Sequence, residues 1–217
     1  MEKYKYILFD LDGTITDSAL GITNSVKYAL KKSGAEIPPY ETLCKFIGPP
    51  LLDGFRDICG FETEKAKAAV KYYREYYETT GLFENEVYGG IPELLDKLKK
   101  AGKTVILATS KPEKFAKIIL EHFNLSRYFD FAAGATLDET RSNKDTVIAY
   151  ALSECNITDK SRAIMVGDRH HDIDGARING ISSVGVLYGF GDRKELETAG
   201  ADFIAADNDE LFDILTQ

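Results

Sequence analysis

Residues 6–14 read Tyr6-Ile7-Leu8-Phe9-Asp10-Leu11-Asp12-Gly13-Thr14. A short apolar run, residues 5–10, ends in two carboxylates two positions apart, and a glycine follows. An uninterrupted apolar run of this length suits a strand buried on both faces, as strands of parallel sheets are. Acids at the carboxyl end of such a strand lie where open α/β sheets bind ligands.

Four further segments repeat the pattern: residues 104–109, 129–133, 162–168 and 182–187 are short, apolar and partly β-branched. Helical periodicity fills most of the intervals. In 91–101, Ile91, Leu94, Leu95 and Leu98 share a face, with Pro92 near the start and Gly102 after the end, the punctuation expected of a helix. Phe115, Ile118, Ile119 and Phe123 form a face in 112–123, and Val147, Ile148, Ala151 and Leu152 form one in 144–154. Strands alternating with helices predict an α/β fold with a parallel, doubly wound sheet.

The interval 17–88 breaks this rhythm. It contains no convincing buried strand and reads as helices over 20–33, 40–46, 51–59 and 64–79. The tyrosines of the last, with Ala69 and Val70, read as an amphipathic core face and not as a stacking platform. The expected organisation is therefore an α/β domain of residues 1–16 and 89–217, interrupted by an all-helical domain of residues 17–88.

Composition narrows the function. The 217 residues carry 27 Lys and Arg against 35 Asp and Glu, a formal charge of −8. That field disfavours general binding to nucleic acid or to anionic membranes. The apolar runs fall far short of the roughly 18 residues of a membrane span, and acids interrupt the N-terminus before a signal sequence could form. Cys44, Cys59 and Cys155 are scattered, which reads as reduced thiols in a cytoplasmic protein. Nothing demands more than a monomer or weak dimer.

The chemistry lies in a set of residues placed at strand ends and helix starts. Asp10 and Asp12 close the first strand, Thr109 the second, and Asp168 the fourth, with Asp172 four residues on; Lys144 opens a helix. If the chain turns helically after Asp168, Asp172 faces the same side. Ser110 with Glu113 has the spacing of a capping box, giving Ser110 a structural role beside its candidacy as a substrate contact. Four converging carboxylates raise one another's pKa and call for a cation. Oxygen ligands without a His–Cys cluster select a hard ion, best Mg²⁺. A carboxylate beside it can attack phosphorus. The metal, Lys144 and Thr109 then stabilise the equatorial oxygens, and the second Asp serves as acid and base. Gly13 allows close backbone approach to a phosphate.

These residues, in this order, resemble the haloacid dehalogenase (HAD) superfamily of phosphatases. The four motifs are Asp10-Leu11-Asp12-Gly13-Thr14, the hydroxyl of Leu107-Ala108-Thr109-Ser110-Lys111-Pro112, Lys144, and Gly167-Asp168-Arg169-His170-His171-Asp172. The resemblance spans the chain and implies a Rossmann-like core with an inserted helical cap. Phe46-Ile47-Gly48-Pro49-Pro50-Leu51 and Gly185-Val186-Leu187-Tyr188-Gly189-Phe190-Gly191 point to the phosphoglycolate-phosphatase-like and 5′-nucleotidase-like branch. It implies Asp10 as nucleophile and metal ligand, and Asp12 as general acid/base and, through its carbonyl, a metal ligand. Thr109 and Lys144 would bind the phosphoryl group, and Asp168 and Asp172 the Mg²⁺. An acid at position 12 favours phosphate-ester chemistry, since dehalogenases lack it.

Arg169 stands where a small hydroxyl residue is commoner, Asp145 where proline is. His170 and His171 read as loop residues. In the cap, Lys45 and Arg56 flank Gly48 and are candidates, with Gly48 itself, for substrate contact or for mere surface and turn roles. Four other readings compete. A phosphosugar mutase would return the phosphoryl group to its substrate. A receiver domain needs no helical insert. A nucleotide switch or kinase would carry a G-x-x-x-x-G-K-[ST] loop, which is missing. A binding protein would have no use for the complete catalytic set.

Overall fold

A computed structural model of the chain describes residues 3–138 and 140–217. β1 (Tyr6–Phe9) is the apolar run of the first motif, with Ile7, Leu8 and Phe9 fully buried. The chain continues through β2 (Thr16–Asp17) into α1 (Ala19–Lys32), α2 (Tyr40–Leu43), α3 (Leu51–Asp57) and α4 (Thr63–Tyr76), and returns through β3 (Glu86–Val87). There follow α5 (Ile91–Lys100), β4 (Thr104–Pro112), α6 (Glu113–His122), β5 (Phe131–Ala135), α7 (Lys144–Glu154), β6 (Ala163–Gly167), α8 (His170–Asn179), β7 (Ser182–Val186), α9 (Arg193–Ala199), β8 (Phe203–Ala205) and α10 (Asn208–Leu215). Two compact units result: Met1–Thr16 with Val87–Gln217, and Asp17–Glu86. Among the described residues no helix is long and apolar enough to cross a membrane.

The first unit is α/β. Its six-stranded sheet has the order β5-β4-β1-β6-β7-β8, and all its pairings are parallel. After β1 the sheet grows through β4 to β5, then returns to β6 on the other side of β1 and grows outward again. β1 is therefore the switch point, and Phe9 is level with Leu107 of β4 and Val166 of β6. The residues that follow these three positions share one edge, where doubly wound sheets open a crevice.

The core locks a helix to that edge. Leu8, Ile106, Ala133 and Met165, from four adjacent strands, cluster with Val147, Ile148, Ala151 and Leu152 of α7. Burying such side chains is worth about 1.5–3 kcal/mol each, so the helix is firmly seated. Its first residue is Lys144. On α6 the buried face is Phe115, Ala116, Ile119 and Leu120, rotated slightly from the one read in the sequence, because Ile118 and Phe123 are only half-buried.

The capping box expected at Ser110 does not form. β4 runs on to Pro112, which pairs with Ala135 after a register shift beyond Ala108. The cap position of α6 is Pro112, with no side-chain cap hydrogen bond. Ser110 thus sits inside an extended strand, and Glu113 pairs instead with Lys117 at 2.6 Å and Arg141 at 3.1 Å. The sequence reading also missed β8, α9 and α10. These are short elements whose starts are nonetheless marked: Asp192 caps α9 and Asp207 caps α10 through their side chains.

The second unit is helical. Tyr73 and Tyr77 stack at 5.3 Å and are buried, an apolar face as expected. The chain after α4 makes a π-turn over Tyr77–Gly81 that brings Gly81 against Gly21 of α1. A Cβ on Gly21 would lie 2.0 Å from the Gly81 carbonyl oxygen. Gly→Ala inside a helix ordinarily stabilises by up to about 1 kcal/mol. Here the sign reverses: Gly21→Ala should destabilise by about 1–3 kcal/mol, as overpacking does. Thermal unfolding reads this directly, and a raised midpoint would contradict the close crossing.

Candidate active site

Asp10 directly follows β1 and Asp168 directly follows β6, so the sheet register alone brings them to one edge. Asp172 lies in the first turn of α8, and its Oδ2 accepts the Arg169 N–H at 3.1 Å. All three carboxylates are buried, and each offers an oxygen within 4.8 Å of the others. Lys144 reaches into them. Its Nζ stands 2.6 Å from Asp10 Oδ1 and 2.8 Å from Asp172 Oδ1 while donating to the Ala108 carbonyl at 3.2 Å. The two carboxylate contacts are short but poorly directed, and neither oxygen has a well-aimed hydrogen bond.

The electrostatics follow from this crowding. Burial, with the like charges of Asp172 and Asp12, pushes the Asp10 carboxyl up to about 6 in spite of Lys144. Burial, with the like charges of Asp172 and Asp10, holds Asp168 well above the usual carboxylate range. Burial would lower the Lys144 ammonium, but Asp10 and Asp172 outweigh it and raise it. An all-oxygen donor set, buried, close and with two poorly satisfied oxygens, fits a hard divalent cation such as Mg²⁺.

Asp168 is held on every side. Its Oδ2 accepts the Phe190 N–H at 2.7 Å, and Thr14 Oγ1 lies 3.4 Å from Oδ1. Gly13 has φ +88°, and a Cβ there would lie 2.2 Å from Asp168 Oδ2. The close approach that Gly13 permits is thus to a carboxylate of the site. A Cβ on Gly189 would lie 2.4 Å from Asp168 Cβ. The glycines of Gly189-Phe190-Gly191 therefore let the loop after β7 close on Asp168.

Asp12 stands apart from the trio. Its two carboxylate oxygens are 2.8 and 2.7 Å from Lys111 Nζ. Lys111 also donates its backbone N–H to Thr109 Oγ1 at 3.2 Å. Thr109 is buried near the end of β4, and Ser110 is half-buried beside it. Sequence reasoning passed over Lys111. The available signal was its alternation: in an extended strand Lys111 points to the same side as Thr109.

Glu195, at the start of α9, gathers the residues around α8's N-terminus. Its Oε1 takes Arg169 Nε at 2.8 Å, the His170 N–H at 2.9 Å and His170 Nδ1 at 2.7 Å. Burial opposes its charge, yet these donors bring its carboxyl down to about 2. Arg169 and His170 thus have a structural partner, and neither histidine belongs to the carboxylate trio. Asp174 pairs with Arg177 on the exposed side of α8. Within the helical unit, Lys45 is exposed, Gly48 has φ +103°, and exposed Arg56 lies 3.9 Å from Asp53.

Known proteins share this plan. Residues 7–186 match the model of the haloacid dehalogenase-like hydrolase family. A 5′-nucleotidase of Pseudomonas aeruginosa is 44% identical over 98% of this chain and 96% of its own. The tyrosine-protein kinase PtkA of Mycobacterium tuberculosis is 38% identical over 99% of this chain and 73% of its own. A crystal structure described as a predicted phosphatase from Clostridium acetobutylicum superposes with a TM-score of 0.94 at 49% identity, covering 98% of both chains. With the matched region holding Asp10, Asp12, Thr109, Lys144, Asp168 and Asp172 in order, this chain belongs to the haloacid dehalogenase-like hydrolases.

Proposed function

We propose that this chain is a Mg²⁺-dependent phosphatase of small phosphate monoesters, with nucleoside 5′-monophosphates the first substrate class to test and phosphoglycolate the second. The observation that carries the reading is the buried Asp10–Asp168–Asp172 trio with Lys144 in contact with two of its members. The 44% identity to a 5′-nucleotidase orders the substrates.

Asp10, Asp168 and Asp172 would hold the ion, joined by the Asp12 carbonyl. When bound, Mg²⁺ supplies positive charge for the phosphoryl oxygens and offsets the carboxylates. Asp10 attacks phosphorus, its oxygen forms the new P–O bond, and the ester P–O bond breaks. Asp12 gives its proton to the departing alkoxide. In the second half, Asp12 takes a proton from water, water oxygen bonds to phosphorus, and the bond to Asp10 breaks, releasing inorganic phosphate. Lys144 and Thr109 hold the phosphoryl oxygens throughout. Gly13 keeps the backbone near the phosphoryl group by sparing the Asp168 carboxylate. Ser110, half-buried on the same segment, lines the approach. The helical unit acts as a cap that excludes water and selects the leaving group, with Lys45, Gly48 and Arg56 as its substrate contacts.

Transfer to a protein hydroxyl is the second reading, favoured by the 38% identity to PtkA. Free phosphate separates the two, since the kinase reading needs a nucleoside triphosphate donor and leaves a phosphorylated tyrosine.

Phosphate release from a panel of monoesters should require Mg²⁺ and stop on chelation; release undiminished by chelator would refute the metal reading. Asp10→Asn should lower turnover by more than about 10³-fold, the scale of losing a nucleophile, without loss of fold by circular dichroism. Asp12→Ala should cost about 10²–10⁴-fold with poor leaving groups, and visibly less with p-nitrophenyl phosphate. Equal losses on both esters would remove Asp12 from the acid role.

A further inference from the structure

Lys111 is a buried cation outside the carboxylate trio, and its partner is Asp12. The contact is two-pronged, at 2.7 and 2.8 Å, with side-chain exposures of 5% and 12%. Asp12 lies beyond β1, in the turn before β2, where a bridge to Thr16 fixes its backbone but not its side chain. A carboxylate there is free to rotate about both its side-chain bonds unless something holds it. Contact of one ammonium with both oxygens fixes the direction in which the carboxyl points.

The backbone delivers Lys111 to this position. β4 shifts register between Ala108 and Pro112, just where Thr109 and Lys111 lie. The Lys111 N–H bonds Thr109 Oγ1, tying the cation to the hydroxyl expected on the phosphoryl group. The strand on the other side must yield for the Lys111 carbonyl: a Cβ on Gly134 of β5 would lie 2.7 Å from it. A lysine that served only as a surface charge would need none of this.

We infer that Lys111 is the positioning residue of Asp12, holding its carboxylate in the orientation from which it exchanges protons with the leaving oxygen and with water. This rests on the acid/base reading of Asp12 given above. Lys111 acts through Asp12 and needs no contact with substrate.

A double-mutant cycle on phosphate release tests it. Lys111→Met should lower kcat by about 10²-fold, the cost of misplacing a reacting group by about 1 Å, with KM within about threefold of wild type. In an Asp12→Asn background the same substitution should cost less than about threefold, because residues that act as one unit are not additive. Lys111→Arg keeps a cation beside the carboxylate and so preserves folding, while its longer planar head displaces the group; it should lower kcat and spare KM. Losses that multiply in the double variant, or a KM rise at unchanged kcat, would overturn the inference and make Lys111 a substrate ligand. Wild-type turnover by Asp12→Asn would instead sink the acid/base reading, a separate result visible in the same experiment.

Discussion

Three carboxylates packed within 4.8 Å of one another, nearly out of reach of water, repel, and the surrounding structure answers that repulsion. At this separation and an effective dielectric of about 20, each pair costs about 3–4 kcal/mol if fully ionised. That is a large fraction of the about 5–15 kcal/mol by which a domain is stable. One fixed cation, Lys144, offsets part of it by standing against Asp10 and Asp172 at once. The remainder appears as the raised carboxyl of Asp10 and the still more perturbed one of Asp168. A hard divalent cation held by the same oxygens would relieve the rest.

Such a cluster persists only if its members cannot move apart. Asp10 and Asp168 are fixed by the register of β1 against β6, two of the most deeply buried strands. Asp172 is fixed by the helix start it helps to close, through the Arg169 N–H. Lys144 is fixed by the apolar face of α7, which shares its core with β1, β4 and β6. Each charged group lies in, or one residue beyond, an element held by hydrophobic burial. The sheet's switch point thus supplies the geometry, and the core under α7 the rigidity.

Legibility in the sequence followed the strength of the local signal. Buried strands announced themselves as apolar runs, and four of the five expected strands lay within two residues of their observed bounds, β4 alone running on to Pro112. The four acids, Thr109 and Lys144 were legible because each sits at an element's end, a position readable from composition. Ser110 misled because the S-x-x-E pattern signals a helix start only if the backbone bends there, and pairing with β5 kept it extended. β8 escaped because three residues, Phe203 to Ala205, carry too little periodicity. Lys111 escaped for a different reason. Its role depends on a partner 99 positions away, and a lone lysine after a strand gives no sign of which acid it meets.

The two acids of the first motif are separated by the same logic. Asp10 and Asp12 are two positions apart, yet Asp10 faces Lys144 and the trio, whereas Asp12 faces Lys111. Were both carboxylates turned into one cluster, four acids would share one cation. Each of the two acids meets a different lysine, one from a helix start and one from a strand end, although the charge of Asp12 still adds to the field at Asp10. Both lysines are placed around β4: Lys111 is part of it, and Lys144 donates to the carbonyl of its Ala108. The strand beside the switch point therefore does more than carry the Thr109 hydroxyl, since it is the scaffold on which both counter-charges are mounted.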